Sequence, residues 1–260
     1  MPNQVLRRLK PEDEELARKR EELATIRAGL ADRELELADC RQQLNAFQGR
    51  YLRQVGTLYA ELDSLKSRIR SLQAARNPSP LADAQAEEAR QQAHRTYQEA
   101  HGSASEAREF APSPELKALF REAAKRIHPD LARDSLDQER RTRYMADANR
   151  AYQSGDTEEL KRILLEFEDG ADAFHGEGTG AELVRAIRQI SQAKNRLAAI
   201  EAELAALRVS EIGLLQKDAE RAELNGRDLL ADLADTVQHQ IETARKELEW
   251  LSVQGQKSND

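Results

Sequence analysis

The sequence has a single cysteine, Cys40, among 260 residues. One thiol excludes an internal disulfide, and no cysteine spacing of a metal site is present. Aromatic residues make up only 4% of the chain. That is too little for one large globular core, so apolar burial has to come from Leu, Ile and Ala along helix seams. No run of about 18 apolar residues occurs, so no membrane-spanning helix is expected. The opening residues, MPNQVLRRLKPEDEEL, lack the apolar stretch of a secretory signal. A reducing cytoplasm is the expected location, with no membrane contact. The formal net charge is −7, without the basic excess that general nucleic-acid binding requires. His94, His101, His175 and His239 are scattered without metal-ligand spacing, and are read as solvated or packed helix residues. No cofactor or metal is expected.

What the chain has in abundance is Ala, Glu, Lys, Leu and Arg, 143 of the 260 residues. With heptad spacing, that composition points to long helices or coiled coil, and the fold class is expected to be all-α. Leu9, Leu16, Leu23, Leu30, Leu37 and Leu44 recur every seventh position, followed by Tyr51. Ile26, Cys40 and Phe47 occupy the intervening sites, although Glu12, Lys19 and Arg33 do as well. After Tyr51 the phase slips by four residues and resumes through Val55, Leu58, Leu62, Leu65, Ile69 and Leu72. A slip of this kind is a stutter, which unwinds a supercoil locally without ending it. Residues 1–75 are therefore expected to form an N-terminal coiled-coil helix, with Pro11 tolerated at its start.

A second seam runs through residues 181–253, with a break expected at Asn225-Gly226. Residues 254–260 read as a disordered tail. The two seams match in length and flank a central block, so antiparallel pairing within one chain is the economical expectation. Parallel self-association into a homo-oligomer is the rival. Polar residues at several seam sites are compatible with both.

Residues 76–112 contain NPSP, HGSAS and APSP and read as a polar linker around one candidate helix with little to bury. Residues 168–180 are acidic and glycine-rich. Their HGEGTG lacks a preceding strand and the Lys-Ser/Thr of a phosphate loop, so a flexible linker is expected.

Residues 113–167 carry the chemistry. Ser113-Pro114 is a helix start, with serine as cap and proline in the first turn. Leu116, Leu119, Phe120, Ala123 and Ile127 share one helical face. Lys117, Arg121 and Lys125 step by four along another, with Arg126 beside them. Pro129 disfavours helical geometry at His128, so His128-Pro129-Asp130 is expected in an exposed loop. A second helix is expected from Ser135 or Asp137, and Ser135 with Gln138 fits a capping box. Its apolar side carries Tyr144, Met145, Ala148, Ala151 and Tyr152. Gly155 should end it and Asp156 cap a third helix burying Leu160, Ile163, Leu164 and Phe167.

This segment resembles a J-domain, the signature module of DnaJ-type co-chaperones. The second helix of that family reads roughly I-K-K-A-Y-R-K-L-A-x-K-Y before His-Pro-Asp. The corresponding run here is LKALFREAAKRI, followed by His128, Pro129 and Asp130. The third helix of the family, F-x-x-I-x-x-A-Y, is matched by Met145, Ala148, Ala151 and Tyr152. The likeness covers about a fifth of the chain. The family's first helix is not visible, and Tyr97 and Phe110 are the only aromatic residues placed to replace it.

The resemblance implies a small helical hairpin that recruits a DnaK-type chaperone and stimulates its ATP hydrolysis. It assigns chaperone binding to His128, Pro129, Asp130, Lys117, Arg121, Lys125 and Arg126. Asp130 would pair with an arginine of the partner, and the basic helix would meet an acidic surface. The coiled-coil arms would bind a client or scaffold, or set where the chaperone acts. No nucleophile–base pair, metal set or phosphate loop suggests an enzyme. The alternative is a structural coiled-coil scaffold whose J-like insert recruits no chaperone.

Overall fold

The computed structural model describes residues 11–102, 110–132, 134–169 and 178–256. Among them there are helices and turns and no strand, an all-α protein. No helix among the described residues is long and apolar enough to cross a membrane. His175, most of the glycine-rich stretch and the last four residues of the expected tail lie outside the described residues.

The first arm opens as α1 (Pro11–Tyr51), with Glu12, Asp13 and Glu14 in its first turn, where carboxylates favour the helix dipole. Leu16, Leu23, Leu30, Leu37 and Leu44 are all buried. A π-helical turn at Leu52–Gly56 follows, at the position of the phase slip, and α2 (Thr57–Arg76) continues from it. Next come α3 (Pro80–Gly102), the central helices α4 (Pro114–Ile127), α5 (Ser135–Ser154) and α6 (Thr157–Asp169), and then α7 (Thr179–Val209), α8 (Glu211–Leu224) and α9 (Leu229–Gln256). The chain divides into two compact units, each drawing on both arms: residues 1–42 with 110–209, and residues 43–109 with 210–260.

In the first unit α1 and α7 lie side by side. Arg20, Arg27, Glu34 and Arg41 meet Glu182, Gln189, Arg196 and Glu203, each pair separated by 162 positions. A constant difference means that both helices run in the same direction. The expected antiparallel pairing is therefore wrong for these two helices, which run in parallel within one chain. The physical reason is charge. Heptad steps on both helices keep opposite or hydrogen-bonding partners together only in the same sense, and Thr179 Oγ1 donates to Asp13 Oδ1 at 3.0 Å where both begin. Leu30, Leu37, Ala193, Ile200 and Leu204 form the seam, with Cys40 packed against it. Burial raises the pKa of that thiol, as expected for a packing residue.

The second unit joins α2, α3, α8 and α9. Leu62, Leu65 and Ile69 pack on Val237, Ile241 and Ala244. Residues 76–112 contain more than a linker. Ser79 caps α3, accepting from the Ala82 amide at 3.1 Å, and Thr96 of α3 donates to Asp63 of α2 at 2.7 Å. Alanines, not large apolar residues, make that packing: Ala86 and Ala100 are buried on α3. The second arm breaks twice. The break at Asn225-Gly226, with Gly226 at φ 72°, matches the sequence signal. The other lies at Ser210, whose hydroxyl caps α8 by accepting from the Gly213 amide at 3.2 Å. This second break was not expected, because the apolar seam continues across it through Leu207 and Leu214.

Candidate functional site

The central helices follow their local signals. Ser113 caps α4 by accepting from the Leu116 amide at 3.1 Å. Asp134, rather than Ser135, caps α5, accepting from Asp137 at 2.9 Å. Gly155 ends α5 at φ 73°, which only glycine adopts cheaply, and Asp156 caps α6 at 2.9 Å. Phe120, Ala123, Ile127, Ala148, Tyr152 and Leu160 close a common core. Fully burying a side chain such as Phe120 contributes about 1.5–3 kcal/mol.

Ala31, Leu35 and Ala38 of α1 belong to the same core. They lie on a different face from the Leu30/Leu37 seam. This stripe covers the side of the hairpin expected to be closed by residues just before Pro112. Of the two aromatics expected there, Phe110 packs edge-on against Tyr152 with ring centroids 5.5 Å apart. Tyr97 instead belongs to the second unit, where it stacks on His101.

His128 leaves the helix in an extended conformation, as a residue before proline should. Residues 129–131 make one 3-10 turn. The imidazole braces this turn from inside: Nδ1 accepts the Asp130 amide at 3.1 Å. A nitrogen that accepts carries no proton, so the hydrogen-bond pattern places the ring hydrogen on Nε2. Nε2 then donates to Glu34 Oε1 of α1 at 3.0 Å. The loop is not exposed at this residue, because His128 retains only 2% of its surface. The expectation of an open His-Pro-Asp loop is corrected there. Its cause is the arm, which the hairpin alone does not reveal.

Glu34 is itself 8% exposed. Arg196 of α7 grips it with Nε at 2.7 Å and Nη2 at 3.2 Å, and reaches Glu203 with Nη1 at 3.0 Å. Burial alone would push the Glu34 carboxyl up. The hydrogen bonds from His128 and Arg196 overcome that and hold it below the ordinary value. Gln189 of α7 donates to the Leu131 carbonyl at 2.9 Å, tying the far side of the turn. Pro129 and Asp130 stay half-exposed. Burial raises the pKa of Asp130, an effect partly offset by His128 and Arg196. No lysine or arginine pairs with its carboxylate among the described residues.

The basic stripe is also partly occupied. Lys117 Nζ lies 3.0 Å from Asp39 Oδ2, and Arg121 Nε lies 2.8 Å from Asp32 Oδ1. Asp39 also accepts the Tyr152 hydroxyl at 2.5 Å; burial, and after it this bond, raise that phenol's pKa. Arg126 pairs with Glu122 along its own helix, and its carbonyl accepts from Arg141 at 2.8 Å. Lys125 is exposed. Two of the four expected docking cations therefore face carboxylates of α1. Asp32, Glu34, Asp39, Gln189 and Arg196 were not among the expected site residues. The available signal was the Ala31/Leu35/Ala38 stripe, off the main seam and flanked by three carboxylates.

Among the described residues no cluster of His, Cys, Asp or Glu could hold a metal ion. What the site presents is a braced turn, a half-exposed carboxylate 3.6 Å from His128 Nδ1, and a basic helix. No family model, curated protein or solved structure matches this chain.

Proposed function

We propose that this chain is a J-domain co-chaperone that recruits a DnaK-type chaperone and stimulates its ATP hydrolysis, its long paired helices serving for targeting or client binding. The observation that carries the reading is Asp130. Its carboxylate sits at the tip of a helical hairpin, half-buried, next to the basic end of α4, and among the described residues no lysine or arginine forms an ion pair with it. A partly desolvated acid of this kind gains by meeting an arginine, and charge-assisted pairs are the stronger hydrogen bonds. His128 and Pro129 fix the turn in advance, so little conformational entropy is lost on docking. The module makes no bonds. It favours one conformation of the ATPase, which is how a binding partner shifts an equilibrium.

A second reading has its own observation. His128 is buried against Glu34, as it would be if the tripeptide only pinned the hairpin to a structural scaffold. Single-turnover ATP hydrolysis by a DnaK-type chaperone with the full chain added separates the two. A co-chaperone accelerates turnover, and the Asp130→Asn variant does not. Absence of acceleration at saturating wild-type protein favours the scaffold.

A further inference from the structure

We infer that α1 and α7 hold the hairpin in a closed state, in which the acidic stripe of α1 occupies the surface that a chaperone would use. This inference rests on the co-chaperone reading. Of the seven residues which that reading assigns to docking, three are bound to the arms through their side chains: Lys117 to Asp39, Arg121 to Asp32 and His128 to Glu34. The turn that displays Asp130 is held at its Leu131 carbonyl by Gln189. An acidic partner surface and the stripe of α1 would compete for the same cations. They cannot occupy them together.

The contacts divide into two grades. The Arg121–Asp32 pair is solvated, with side chains 47% and 66% exposed. Pairs of this kind are weak and screened by salt. The Glu34 contact is buried and gripped from two helices. The closed state thus has an outer edge that a competing surface could peel away and an inner lock that has to break before His128 is uncovered. When only the open fraction binds, apparent affinity falls by that fraction. Lys125 and Asp130 stay outside the lock and remain available for a first encounter.

The test uses the full chain with Cys40→Ser throughout. A locked form carries Gln42→Cys with Gln153→Cys. These positions adjoin across α1 and α5, where Gln42 Nε2 donates to the Gln153 carbonyl at 3.1 Å, and neither belongs to the docking surface. An opened form carries Asp32→Lys with Glu34→Gln. Hydrogen exchange of the segment 125–131 reports opening without any chaperone. Stimulation of a DnaK-type ATPase reports docking. The expected result is loss of stimulation in the oxidised locked form, recovery on reduction, and half-maximal stimulation at a concentration about threefold to tenfold lower in the opened form, in proportion to its larger open fraction. Equal stimulation by oxidised and reduced locked forms overturns the inference and leaves the co-chaperone reading standing. Faster exchange in the opened form with no stimulation by any form overturns both. Unchanged exchange in the opened form, with the locked form still fully active, also overturns the inference.

Discussion

Replacing Glu34 by alanine tests the inner lock directly. The substitution removes three hydrogen bonds, two from Arg196 at 2.7 and 3.2 Å and one from His128 at 3.0 Å. Counted singly, bonds to a charged group contribute about 1.5–3 kcal/mol each. They share one carboxylate and do not add. Breaking a buried pair from one side costs about 3–5 kcal/mol, because the remaining charge is left uncompensated. Here Arg196 keeps Glu203 at 3.0 Å and 28% of its side-chain surface, so water and a second acid relieve it. We expect the lower end, about 3 kcal/mol. Glu34→Gln keeps the shape and one acceptor and should cost about 1–2 kcal/mol. Urea titration with hydrogen exchange over residues 127–131 measures both. A loss below about 0.5 kcal/mol for Glu34→Ala, the range of ordinary surface changes, would refute the claim that this contact holds the loop. The pH dependence has a fixed sign. The folded-state pKa of Glu34 is lowered, so its contribution is complete above the ordinary carboxylate range and is lost as pH falls through the folded value. The groups facing it are His128, Arg196 and, more distantly, Asp130. Glu34→Gln should have a shallower acid limb, and an unchanged limb would count against the assignment.

Asp130→Asn should leave the melting temperature near wild type, because burial disfavours that charge and His128 and Arg196 only partly offset it; a shift equivalent to more than about 1 kcal/mol would mean that it is structural. Tyr152→Phe should cost about 1.5–3 kcal/mol, since a buried ring gives up its bond to the Asp39 carboxylate; calorimetry reads this. Arg121→Ala should cost only about 0.2–1 kcal/mol, and less at high salt, because its pair with Asp32 is solvated. In a Cys40→Ser chain, Arg41→Cys with Glu203→Cys should be joined within one monomer by a short bis-maleimide, whose spacer replaces the reach of the long Arg41 and Glu203 side chains that meet there. Cross-links found only between chains would refute the intrachain parallel pair.

The sequence made local features legible and long-range ones not. Ser113, Gly155, Asp156, the end of α4 at His128 and the slip after Tyr51 all depend on neighbours within a few residues, and the structure has a cap, a turn or a π-helical turn at each. The direction of α7 along α1 was not legible, because an apolar seam looks the same from either end and only the charge pairs fix its sense. The partners of the basic stripe were hidden for a similar reason. Asp32 and Asp39 lie off the leucine seam of α1, and nothing local states that they face Arg121 and Lys117 of α4. Leu35 was the overlooked clue: it is apolar off the leucine seam and 4% exposed.

The parallel pairing has a consequence for biosynthesis. The contacts between α1 and α7 join residues 162 to 172 positions apart, so the leucine seam of α1 waits for its partner while the rest is translated. At about 5–20 residues per second that delay is roughly 10–30 s. The hairpin, which meets α1 through Ala31, Leu35 and Ala38, emerges earlier and can seat on the nascent helix first. For that interval a ribosome-bound chain presents the hairpin on α1 without Arg196 or Gln189 to secure the turn, and an uncovered seam beside it. The arrival of α7 closes both together.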